Sequence, residues 1–75
     1  MMSPHRALKN LGVNLRRKRE ARSLTQERLA ERADLHPTYV SGIERGRRNP
    51  SILSVVRLAR ALEITSSDLC SGIDA

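Results

Sequence analysis

A chain of 75 residues has room for one small hydrophobic core and no second domain. Fourteen Lys and Arg against eight Asp and Glu leave a net charge of +6, and Tyr39 is the single aromatic residue; an RNA-binding sheet of stacking rings is excluded and a base-stacking single-strand groove is disfavoured. Cys70 is the lone cysteine, which excludes a disulfide framework and a thiolate zinc site, and no apolar run approaches the length of a membrane span.

The charge is lopsided. Residues 1–48 hold 12 basic and 5 acidic residues, a net of +7, whereas residues 49–75 hold 2 basic and 3 acidic residues, a net of −1. One part of the chain is suited to a polyanion, with a solvated basic helix as the plainer alternative. A membrane-surface helix would need Trp or Phe anchors, which the sequence lacks. Met1 to Asn10 contain no apolar block of the kind a signal peptide needs, which points to a reducing cytoplasm.

Helical periodicity runs through the chain, and strand-like alternation is hard to find. Leu8, Leu11 and Leu15 recur at spacings of three and four, with Arg19 next on that face. This predicts a first helix over about 6–22, bounded before by Pro4 and weakened but not broken by Gly12. Thr25 is a good N-cap, and Leu24 and Leu29 occupy the positions of a hydrophobic staple, so a second helix runs over about 26–33. Asp34, Leu35 and His36 then interrupt the pattern, and Asp34 tolerates the left-handed conformation that a tight turn needs. Pro37 suits a first helical turn, and Leu35 with Val40 repeats the staple. The third helix covers about 37–45 and stops at Gly46. A basic loop, Arg47-Arg48-Asn49-Pro50, leads to Ser51, which caps a fourth helix over about 52–62. Its apolar stripe is Ile52, Val55, Leu58, Ala59 and Leu62. Ile64, Thr65 and Leu69 give the staple and cap a third time and open a short fifth helix over about 66–71, with a frayed tail from Ser71 to Ala75. The fold class is all-α: one domain over 1–75, with a five-helix core at about 6–71 and flexible ends. Such a thin core is marginally stable alone and gains from a dimer.

Two short helices joined by a three-residue turn form a helix-turn-helix signature. Residues 25–46 read TQERLAERADLHPTYVSGIERG, and RRNPS follows directly. The segments LTQERLA, YVSGIERG and RRNPS, in this order and spacing, resemble the Cro and phage-repressor (XRE-like) helix-turn-helix family over roughly residues 8–70. Within that family, the size and the YVSGIERG wording are most similar to the controller proteins of restriction–modification systems. The resemblance implies a lambda-repressor-like fold of five helices.

The third helix can also be read from its own residues. At 100° per residue, Val40, Ile43 and Glu44 share one side, and Thr38, Ser41, Gly42 and Arg45 share the other. The first side faces a core. The second is small or basic, as entry into a major groove requires. Thr38 and Ser41 can bond base edges, and Arg45 has the reach for guanine or a phosphate. Gly42 removes a side chain where DNA presses close, or is simply a tolerated exposed glycine. Arg47, Arg48 and Asn49 stand where phosphate clamps would be. Tyr39 borders the two faces, where a packed ring and a hydroxyl on a phosphate both fit. Arg16 and Arg17 either flank the same strand or are solvated.

The resemblance implies base contacts at Pro37, Thr38 and Gly42, and a phosphate contact from Gln26 at the start of the second helix. Pro37 and Gly42 carry no side-chain donors, so DNA shape is expected to supply part of the specificity. Glu44 is a carboxylate on the core side and needs a partner; the resemblance pairs it with Arg19. It also implies a symmetric dimer interface around the fifth helix, for which Ile64, Leu69, Cys70 and Ile73, with Leu53, are the apolar candidates.

No spacing resembles a nucleophilic triad, and His5, His36 and Cys70 form no metal-binding pattern. The expected protein is a homodimeric, sequence-specific regulator of double-stranded DNA in the cytoplasm and on the nucleoid. No catalysis, cofactor, small-molecule ligand or membrane is expected, and RNA polymerase is a candidate partner. The alternative is an antitoxin-like protein-interaction module with secondary DNA binding.

Overall fold

A computed structural model describes residues 4–75; Met1–Ser3, the start of the stretch searched for a targeting block, lie outside the described residues. Five helices follow one another: α1 (Pro4–Ala21), α2 (Gln26–Ala33), α3 (Pro37–Glu44), α4 (Ile52–Ala61) and α5 (Ser66–Leu69). The described residues contain no strand. None of the helices is long and apolar enough to cross a membrane.

Local chemistry sets the boundaries. Thr25, Ser51 and Thr65 each accept a hydrogen bond from the backbone N–H three residues on, at 3.0–3.1 Å, which satisfies a donor that the first helical turn would leave unpaired. His36 performs the same task with an imidazole, its Nδ1 accepting from the Thr38 N–H at 3.1 Å. Asp34 takes the left-handed conformation at φ 56°, ψ 47° and closes α2. α1 begins at Pro4 rather than after it. Proline lacks an N–H that would be unpaired at that position anyway, so it opens the helix instead of bounding it.

α1 packs on α3 and α5, α2 packs on α3 and α4, and α4 packs on α5. The helices therefore close a ring in the order α1, α3, α2, α4, α5, around Leu11, Leu15, Leu29, Val40, Ile43, Leu58, Leu62 and Leu69. Burial of these side chains drives the fold at roughly 1.5–3 kcal/mol each. Gly12 is buried where α1 crosses the end of α3: an added Cβ would lie 2.5 Å from the Glu44 carbonyl oxygen and 2.6 Å from that of Ile43. This glycine sets the approach of two helices and is more than a tolerated weakness in one.

Two expectations fail at the edges of the core. Ile52, assigned to the inner stripe of α4, is 81% exposed, whereas Val55, Leu58, Ala59 and Leu62 of that stripe are buried. The tail is tied down rather than frayed, and α5 ends at Leu69. Asn14 Nδ2 donates to the Leu69 carbonyl at 2.9 Å and to that of Ser71 at 2.8 Å, and Asn10 Nδ2 donates to the Ile73 carbonyl at 3.0 Å. Two α1 asparagines thus hold carbonyls that α5 and its turn leave unpaired.

Candidate nucleic-acid interface

α3 offers one exposed face. Val40 and Ile43 are buried, Pro37, Thr38 and Arg45 are exposed, and Ser41 and Gly42 are half-buried. Gly46, at φ 71°, ends the element: its N–H donates to the Ile43 carbonyl and the Arg47 N–H donates to that of Gly42. The loop then delivers Arg47, Arg48 and Asn49 to solvent beside the helix.

Gly42 has a neighbour that the sequence did not disclose. An added Cβ would sit 2.6 Å from Arg48 Cγ and 3.4 Å from its Nε, so the Arg48 stem lies across α3 at this glycine. The missing side chain makes room for an arginine of the same chain. A guanidinium thereby reaches the helix surface where Pro37 and Gly42 supply no side-chain donor.

Behind that face lies a polar network. Arg19 Nε donates to Glu44 Oε2 at 2.6 Å and Nη2 donates to Oε1 at 3.0 Å. Arg19 Nη1 donates to the Leu24 carbonyl at 2.8 Å, and Gln26 Nε2 donates to Glu44 Oε1 at 3.1 Å. The Glu44 side chain is 3% exposed and that of Arg19 12%. The hydrogen bond to Glu44 pushes the Arg19 guanidinium above its ordinary pKa, outweighing the opposing effect of burial. A forked guanidinium on a carboxylate holds both partners in one plane; here it ties the end of α1 to the end of α3, and the Gln26 bond ties the start of α2 to the same carboxylate. Gln26 is anchored by this network at the residue where a phosphate contact is expected. Its bond to Glu44 was not legible from spacing, because it joins residues 18 apart in the chain.

The Tyr39 ring packs against the core, and its hydroxyl donates to Ser54 Oγ at 3.4 Å. The apolar candidates for a dimer interface separate. Ile64, Cys70 and Ile73 are half-buried, whereas Leu69 is fully buried in its own protomer and is not available to a partner. The staple position that recommended Leu69 is what takes it inward. An open groove of about 330 Å³ runs between α1, Pro50, Ile52 and the tail, with Leu8, Cys70 and Ile73 on its walls. Leu53, 59% exposed, and Ile52 stand beside each other on α4. Among the described residues no three His, Cys, Asp or Glu side chains gather as a metal site requires.

Residues 15–69 match the helix-turn-helix family. The chain is 42% identical to control protein C.BamHI of Bacillus amyloliquefaciens over 59 residues, 77% of this chain and 73% of that protein. It is 38% identical to an HTH-type transcriptional regulator, y4dJ, of Sinorhizobium fredii over 66 residues, 88% of this chain and 86% of that protein. The crystal structure of the restriction-modification controller protein C.AhdI from Aeromonas hydrophila is similar at a TM-score of 0.82 and 44% identity, over 83% of this chain and 94% of that one.

Proposed function

This chain belongs to the helix-turn-helix family, and on that premise we propose that it is a sequence-specific, double-stranded DNA-binding transcriptional regulator that acts as a homodimer on pseudo-palindromic operators. α3 enters the major groove, where Thr38, Ser41 and Arg45 meet base edges beside Pro37 and Gly42. Gln26, Arg47, Arg48 and Asn49 grip phosphates, and the N-terminus of α2 adds its own attraction for an anion. The observation that carries the reading is the exposed α3 face flanked by Arg45, Arg47 and Arg48, with Gln26 anchored to the same helix through Glu44. Tyr39, with its hydroxyl turned to Ser54, serves packing in the free protein and reaches a phosphate only by a rotation of that hydroxyl.

The second protomer docks through Ile52, Leu53 and the half-buried Ile64, Cys70 and Ile73. Two recognition helices then read half-sites about 34–36 Å apart. An operator that overlaps a promoter excludes RNA polymerase, and one just upstream leaves room to contact it. The likeness to control proteins supports this role, carried out in the cytoplasm and on the nucleoid.

The test is selection of DNA fragments, followed by titration against random competitor across a salt series with stoichiometry recorded. Specific binding about 10³–10⁷ times tighter than nonspecific, with two chains per pseudo-palindrome, supports the reading. A ratio near one, with binding lost steeply in salt, sinks it and favours the protein-interaction alternative, for which exposed Ile52 and Leu53 are the available surface. Thr38→Ala changes the preferred operator sequence in the same selection; an unchanged preference removes Thr38 from the readers.

A further inference from the structure

Arg57 and Arg60 are the two basic residues of positions 49–75. With Arg32 from the end of α2 they line an open concavity of about 330 Å³, completed by Ala33, Asp34 and Ala61. The ion pairs among the described residues engage Arg16, Arg19, Arg22 and Arg28, which leaves the three arginines of the concavity without a carboxylate partner there. Asp34, on the same wall, is in none of these pairs. Three arginines from two helices thus line one open space.

We propose that this concavity receives an acidic segment of a partner protein while α3 is on DNA; the orientation rests on the DNA reading, the chemistry does not. α3 meets α4 near the start of the latter, where the Tyr39 hydroxyl reaches Ser54, and Arg57 and Arg60 lie about one to two turns further along α4. Arg57 and Arg60 lie about 9–14 Å along α4 from Ser51, where the basic loop ends. None of Gln26, Arg47, Arg48 and Asn49 lines the concavity, which is thus a positive surface distinct from the phosphate clamps. Its composition favours a peptide over a phosphate chain. Arginine forks bind carboxylates in pairs, the floor of Ala33 and Ala61 lets a side chain approach closely, and the Asp34 carboxylate accepts a peptide N–H where it would repel a uniformly anionic strand.

The experiment titrates hexaglutamate into the isotope-labelled full chain at low ionic strength and follows backbone amide resonances. Saturable shifts centred on Ala33, Asp34, Arg57, Arg60 and Ala61 are expected. Arg57→Ala with Arg60→Ala should weaken the peptide about tenfold, and Arg47→Ala with Arg48→Ala should change it less than about twofold. Affinity of the first variant for duplex DNA stays at the wild-type value, which also shows that it is folded. Shifts that follow Arg47 and Arg48, or that spread without saturating, overturn the proposal. So does inorganic pyrophosphate producing the same shifts at lower concentration, which would make the site a phosphate site. A wild-type chain that selects no DNA sequence but shows the peptide shifts would overturn the DNA reading and leave the acidic-segment site standing.

Discussion

Glu44 holds three donors on two carboxylate oxygens, two from Arg19 and one from Gln26, while almost entirely out of water. Removing one partner of such a pair strands the other. Glu44→Ala should therefore cost about 3–5 kcal/mol in a urea unfolding titration. Arg19→Met combined with Glu44→Leu should recover most of that loss, because two apolar groups of similar size need no compensation. DNA affinity should stay low in the double variant, since Gln26 has lost its anchor; recovery of both stability and affinity would deny Glu44 any part in positioning Gln26. Gly42 separates stability from binding in the opposite sense. Gly42→Ala should gain up to about 1 kcal/mol of helix propensity, yet its methyl displaces the Arg48 stem and weakens operator binding about tenfold. Calorimetric unfolding and a binding isotherm on the same preparation check both halves.

At the scale of the helices, contact between α1 and α3 depends on Gly12. The atoms facing it are backbone carbonyl oxygens, which cannot rotate aside as a side chain would. Gly12→Ala should destabilise the chain by about 1–3 kcal/mol by forcing the helices apart, despite the better propensity of alanine; an unchanged unfolding midpoint would mean that the approach is not needed. The extents of α2 and α3 were legible because their signals are local: Thr25, the staple of Leu24 and Leu29, the turn at Asp34 and the stop at Gly46 all act within a few residues. Ile52 defeated the same logic because periodicity gives the direction of a side chain but not whether a neighbour covers it. The tail defeated it because Asn10 and Asn14 reach carbonyls 55 to 63 residues away. The candidate DNA face was legible in outline from the pattern of α3. The placement of Arg48 over Gly42 and of Gln26 on Glu44 was not, since both depend on how elements meet.

At the scale of the whole molecule, the charge tally by segment concealed a surface. Residues 49–75 are net acidic, yet their two arginines join Arg32 in one concavity once α2 and α4 pack. The exposed apolar pair on α4 has a similar history, Ile52 having been assigned to the core. In a two-fold interface each substitution counts twice. Leu53→Glu should therefore weaken self-association at least about a hundredfold, from the loss of about 1.5–3 kcal/mol in each protomer. Sedimentation velocity over a concentration series reads this directly, with helical content unchanged because Leu53 lies outside the protomer core. A variant that stays dimeric would move the interface away from α4.

Arg48 comes from a loop, and Gly42 makes room for it without touching the core. The direction in which that guanidinium points is therefore set by two positions that the packing of the five helices does not constrain. A descendant lineage can exchange either residue and inherit the scaffold intact. On the proposed reading the grip on phosphate beside α3 can then diverge faster than architecture, and two close relatives sharing every buried residue need not hold DNA with the same strength.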